Sequence, residues 1–132
     1  MDTTLDPNKV NAFAGKVLAD GSGASAMFLA AIGDRLGLFK DLDRNGPATS
    51  SELAARVGIQ ERYAREWLGG MAAAGYLEYN SVTRRFTLPP AHAPALAHEN
   101  GPFFFGGVLQ TFPVSFCLLD RLIEFGEKPA EF

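Results

Sequence analysis

Two histidines, His92 and His98, stand six residues apart, with Glu99 directly after the second. Imidazoles and a carboxylate can bind a metal or move a proton, but a pair of helical ligands needs the i, i+4 spacing that projects both rings from one face. A separation of six does not do this, so surface histidines and no metal are expected. Cys117 is the only cysteine, which excludes an internal disulfide and a thiolate-rich metal site. Flanked by Phe116, Leu118 and Leu119, it reads as a core residue rather than a nucleophile. Neither a Gly-x-Ser-x-Gly elbow nor a recognisable order of Cys and His is present. Asp120, Arg121, Glu124, His92, His98 and Tyr63 are the polar groups available to a cofactor-free active site, and no catalytic residue is assigned among them. A nucleotide-type cofactor would need a glycine-rich turn between a strand and a helix. Gly21-Ser-Gly23 has no strand before it, and Gly69-Gly70 falls inside a helical pattern where it permits close packing, so no cofactor is expected.

Aromatic density is the second chemical feature. Phe103, Phe104, Phe105, Phe112, Phe116, Phe125 and Phe132 are seven of the eleven phenylalanines, all within the last thirty residues. Helices are expected at roughly Pro102–Gln110 and Pro113–Phe125, and one amphipathic stripe cannot bury so many rings. Phe103, Phe104, Phe105, Phe112 and Phe116 are therefore the candidate pocket residues, to be covered by a second copy of the chain or by an apolar or aromatic small molecule.

The element that must position these groups lies between Thr49 and Leu88. Thr49 followed by Glu52 is a capping-box pair at a helix start. Leu53, Ala54 and Val57 form the helix's apolar face, and Gly58 supplies the left-handed residue that ends it. A second helix runs from about Glu61 to Ala74 with Tyr63, Trp67, Met71 and Ala74 as its stripe, closed by Gly75. Tyr76–Tyr79 alternates like a half-buried strand, Asn80–Arg84 is a turn, and Arg85–Leu88 pairs back before Pro89-Pro90 prevents continuation. Helix, turn, helix and hairpin make a winged helix. The fold class is thus mostly α with a small β-hairpin: a winged helix-turn-helix with added N- and C-terminal helices.

The run Glu52-Leu-Ala-Ala-Arg-Val-Gly58, the stretch Glu61–Tyr79 and Phe86-Thr-Leu-Pro-Pro90 resemble the N-terminal winged-helix domain of a bacterial family of class I S-adenosylmethionine-dependent methyltransferases. The likeness extends back to Ala30–Phe39 and forward to Gly106-Gly-Val-Leu-Gln110. It implies that the first helices build a homodimer interface and that the phenylalanine-rich segment walls a substrate pocket. In that family a Rossmann-like cofactor domain follows; this sequence stops before it, so no methyl transfer is expected of the chain alone. The closing Glu131-Phe132 pair is what an in-frame EcoRI site encodes, as a gene fragment would leave.

Around this centre a single domain is expected over residues 1–132, with N-terminal helices (1–48), the winged helix (49–88) and the phenylalanine-rich helices (89–132). After a loose Met1–Pro7 tail, Asn8 would cap a helix carrying Val10, Phe13, Val17 and Leu18, and Gly21-Ser-Gly23 would break it. A second helix, Ser25–Leu36, would bury Phe28, Leu29, Ile32 and Leu36 and leave Asp34 and Arg35 solvated. Asp43–Pro47 reads as a turn, and Ala91–Ala97 as a short helix. With 132 residues, 47% hydrophobic and 20% charged, the chain is long enough for its own core. A formal charge of −3 and a pI near 5.3 provide no basic field for phosphates. From Thr49 to Leu88 five arginines face four glutamates, a net of +1, so a winged-helix DNA-binding regulator is a disfavoured alternative. A small ester or phosphoester hydrolase using the dimer pocket is the other alternative. No apolar run reaches the roughly 20 residues of a membrane span and no basic leader precedes one, so no membrane partner and a cytoplasmic location are expected.

Overall fold

Asp6 opens the longest helix: its carboxylate accepts a hydrogen bond from the Asn8 N–H at 2.9 Å, and Pro7 takes the first helical position, where its missing N–H costs nothing. In this computed structural model, which describes residues 4–126, α1 then runs unbroken over Pro7–Leu36. The cap is Asp6 rather than Asn8, and Gly21-Ser-Gly23 does not interrupt the helix. Glycine inside a helix costs only about 1 kcal/mol relative to alanine. Docking of the helix's C-terminal half onto the rest of the chain is able to outweigh that.

The docking surface is made of small residues. Ala26, Ala30, Ala31 and Gly33 are buried, whereas Phe28 and Leu36, expected in the core, are 47% and 49% exposed. Small side chains let helix α4 (Glu61–Ala73) approach closely. A Cβ on Gly33 would fall 2.3 Å from Trp67 Cζ2, and one on Gly70 would fall 2.6 Å from Leu29 Cδ1. The Trp67 Nε1–H donates to the Leu29 carbonyl at 2.8 Å, and its ring meets Phe39 edge-on at 5.0 Å.

Gly37, at φ +71°, turns the chain into α2 (Leu38–Asn45), so most of the expected Asp43–Pro47 turn is helical. Leu38, Phe39 and Leu42 fall on one face and are buried, which drives that helix. The winged helix follows. In α3 (Ser50–Val57) the Thr49 hydroxyl accepts from the Glu52 N–H at 3.1 Å. The carboxylate half of the expected capping box is replaced: Glu52 binds Arg85 at 3.1 Å and Arg56 at 3.7 Å. Gly58 adopts the predicted left-handed turn at φ +74°. In α4 the buried face is Ala64, Trp67, Leu68 and Met71. Tyr63, placed on the apolar stripe by spacing, is 66% exposed, and Ala74 is also exposed. The face is thus turned from Tyr63 and Ala74 toward Ala64 and Leu68.

The wing pairs β1 (Glu78–Asn80) with β2 (Arg85–Thr87) antiparallel, Tyr79 opposite Phe86 with ring centroids 4.7 Å apart. The Asn80 side-chain oxygen accepts from the N–H groups of Val82 and Thr83, and Arg84 takes φ +57° to complete the turn. Beyond Pro89-Pro90 come α5 (Ala93–Leu96), α6 (Gly106–Cys117) and α7 (Leu119–Gly126). Pro113 does not begin a helix but lies inside α6; the division falls at Leu118. Cys117, expected in the core, is exposed: the fully buried residues of α6 are Gly106 and Leu109, near its start. Phe132 and the Glu131-Phe132 pair lie outside the described residues, as do the first three residues of the expected tail. No described helix is long and apolar enough to cross a membrane.

Candidate functional site

Gln110 fastens α6 to α1. Its Nε2 donates to the Ala31 carbonyl at 3.1 Å and to Asp34 Oδ2 at 2.8 Å, while its Oε1 accepts from Arg35 Nε at 2.7 Å. Asp34 and Arg35, read from sequence as solvated, are therefore the anchor points of the latch. No short-range pattern marks a contact spanning 75 residues. The latch sets the position of α6 and with it the floor of a cleft.

That cleft, about 520 Å³, lies between α5, α6 and the turn after α4, with Met27 of α1 at its edge. A volume of this size suits one small organic molecule. Its walls are apolar, among them Leu96, Phe105 and Val108, and its side-chain polar atoms come from Tyr76 and His92. His92 is half-buried with Nδ1 2.8 Å from the Tyr76 carbonyl oxygen. A carbonyl only accepts, so Nδ1 carries the proton in the neutral ring. The Tyr76 hydroxyl reaches Met27 Sδ at 3.8 Å, a weak acceptor.

The other sequence-derived candidates disperse. His98 Nε2 lies 3.0 Å from Asp43 Oδ2 and Glu99 pairs with Lys40, in a separate polar cleft, so the two histidines and Glu99 do not converge. Among the described residues no three His, Cys, Asp or Glu side chains stand close enough to hold a metal. Tyr63 is on the outer face of α4; Asp120, Arg121 and Glu124 sit on α7, where no residue is buried. Of the phenylalanines, Phe105 lines the His92 cleft, whereas Phe116 lines a different one beside Phe28 and Leu29. Phe112 meets Phe116 edge-on at 5.3 Å, Phe104 packs over Gly106, and Phe103 is 67% exposed. The five thus spread over two surfaces. Met27, Tyr76 and Val108 were missed; the strand-like alternation starting at Tyr76 hid its place in a wall.

On the winged helix, Arg85 pairs with Glu52, Arg56 with Glu52 and with Asp41 at 3.5 Å, and Arg65 with Glu61 at 3.7 Å. Arginines held by carboxylates are poorly placed to receive phosphates.

A helix-turn-helix closed by a two-stranded wing defines a winged-helix domain. Residues 23–98 match the Rv2258c-like winged HTH domain, and the chain belongs to that family. Among curated proteins none matches it. Solved structures of longer proteins share its fold. Human N-acetylserotonin methyltransferase in complex with SAM superposes at a TM-score of 0.67 and 19% identity over 99% of this chain and 41% of its own. An O-methyltransferase family protein from Burkholderia thailandensis does so at 0.66 and 18%, over 95% of this chain and 34% of its own. PigF with SAH gives 0.55 and 24%, over 81% and 32%. The chain therefore spans about a third to two fifths of each, as a winged-helix domain resembling the N-terminal domains of methyltransferases.

Proposed function

We propose that this chain is an assembly and enclosure module of a methyltransferase-type protein: it pairs with a second copy and offers an apolar surface to a small molecule, without transferring methyl groups by itself. The observation that carries this reading is the uncovered apolar face of α1. Val10, Phe13 and Val17 recur at helical spacing and are 50%, 67% and 53% exposed. Leu18, at 73%, lies beside them, and α7 adds Leu122, Ile123 and Phe125. An exposed apolar stripe of this kind favours a cover, and a second copy of the same chain brings the same stripe.

The absence of methyl transfer rests on the sequence, which has no glycine-rich turn between a strand and a helix. Among the described residues the strands are those of the wing. The test is solution mass by light scattering, with S-adenosylmethionine titrated calorimetrically into the same preparation. A mass of two chains with no heat of cofactor binding is the expected result. A single-chain mass at micromolar concentration would overturn the assembly reading, and micromolar cofactor affinity would overturn the rest.

A further inference from the structure

We propose that Asn100 is a site of self-modification, where the side-chain amide is lost to attack by the Gly101 nitrogen and the residue ages to aspartate or isoaspartate. The sequence contains Asn-Gly-Pro twice, at Asn45-Gly46-Pro47 and at Asn100-Gly101-Pro102. A glycine after asparagine favours this chemistry, because no side chain shields its nitrogen or restricts its backbone. Water is the only co-reactant. The Gly101 nitrogen gives its proton to hydroxide and attacks Asn100 Cγ; the N–Cγ bond forms, the Cγ–Nδ2 bond breaks, and Nδ2 takes a proton from water and leaves as ammonia. A water molecule then opens the five-membered imide at one carbonyl or the other, giving aspartate or its isomer with one more carbon in the backbone. The site stands independently of the assembly and small-molecule reading above.

The two copies share a sequence, and the fold separates them. Asn45 is the last residue of α2, and its Nδ2 donates to Asp41 Oδ1 at 2.7 Å. The Gly46 N–H closes the helix end by donating to the Leu42 carbonyl at 3.1 Å, so nucleophile and electrophile are each engaged elsewhere. Arg56 also clamps the backbone that would have to move, donating to the Gly46 carbonyl at 2.8 Å and to the Pro47 carbonyl at 3.2 Å. Asn100 has none of these restraints. It is exposed in the turn between α5 and α6, and among the described residues its side chain has no hydrogen-bond partner. The Gly101 N–H donates to the His98 carbonyl at 3.0 Å, and that single turn bond is what local opening must release.

The test holds the full 132-residue chain for days at neutral pH and physiological temperature, folded in one series and unfolded in urea in the other, and then digests both with trypsin. Cleavage after arginine isolates the two steps in residues 45–56 and 86–121, where deamidation reads as the mass difference between an amide and a carboxylic acid. In the folded chain the step in residues 86–121 should convert about tenfold faster, the worth of the hydrogen bond to a carboxylate that holds Asn45. In urea the two tripeptides lose their surroundings and their rates should converge. Asn100→Ser, at an exposed position without a side-chain partner, removes the reacting amide and should abolish the mass change in residues 86–121. Equal rates in the folded chain, faster conversion at Asn45, no conversion at Asn100, a mass change that survives Asn100→Ser, or a tenfold difference that persists in urea would each overturn the assignment.

Discussion

Gly33 and Gly69 show how differently one residue type can act in this molecule. A methyl group on Gly33 would collide with the Trp67 and Phe39 rings, one of its contacts falling at 2.3 Å. Gly33→Ala should therefore cost about 1–3 kcal/mol, the usual price of overpacking a core. Gly69 has open space around it in mid-helix, and Gly69→Ala should stabilise by about 0.5–1 kcal/mol. Urea unfolding of the two variants side by side checks the contrast, since only tertiary context distinguishes them. Glu52 provides a pH-dependent counterpart. Its hydrogen bond from Arg85, aided by the charge of Arg85, the Thr49 hydroxyl and the charge of Arg56, holds its pKa below the ordinary 4.5 despite opposing desolvation. A carboxylate whose pKa falls on folding stabilises the folded state above its unfolded value and loses that contribution as pH drops through the lowered one. The melting temperature should decline as pH is taken from about 5 to about 3, and Glu52→Gln should make that decline shallower. A slope unchanged by the substitution would show that the pair contributes nothing measurable.

At the scale of elements, the relation between α1 and α6 decides the shape of the candidate site. Gln110→Ala removes a group bonded at once to Ala31, Asp34 and Arg35. The expected loss is about 1–2 kcal/mol, because a carbonyl and a carboxylate are deprived of their donor in a half-buried place. The effect should be local: amide exchange in α6 should accelerate while α3 and α4, joined through Ser50 and Glu61 at 2.7 Å, keep their protection. Uniform acceleration across all three helices would mean that α6 is integral to one cooperative unit. The recognition-helix position of α4 has a different consequence. Its surface mixes Glu61 and Glu66 with Arg62 and Arg65, and this interleaving agrees with an assembly role better than with a phosphate-tracking one.

At the scale of the molecule, the exposed stripe of α1 governs the outcome. Phe13 is 67% exposed in the single chain, so Phe13→Asp should leave the fold's own stability within about 0.5 kcal/mol while placing a charge in the proposed interface. The wild-type melting temperature should rise with protein concentration, as for any assembly that binds only the folded state. In Phe13→Asp that dependence should vanish and the scattering mass should halve. Retention of the full mass by the variant would place the interface elsewhere, with α7 the next surface to alter.

What the sequence by itself determined are the features whose partners lie within a turn or two of chain. Thr49 with the Glu52 N–H, Gly58 at its left-handed turn, Asn80 in the wing and the stop at Pro89-Pro90 could all be read in order, and together they specify a winged helix. Helix bounds and faces that depend on distant docking could not. α1 runs through Gly21 and Gly23, α2 forms where a turn was expected, α4 buries Leu68 rather than Tyr63, and Cys117 lies outside. The cleft is the extreme case. His92 meets Tyr76 sixteen residues away, Phe105 is held there by its N–H on the Ala95 carbonyl, and Val108 arrives on α6, which Gln110 and the buried Leu109 hold in place. Tertiary packing alone decided which of the many apolar side chains were covered, since hydrophobic burial has no preferred direction and is settled by whatever surface comes into contact.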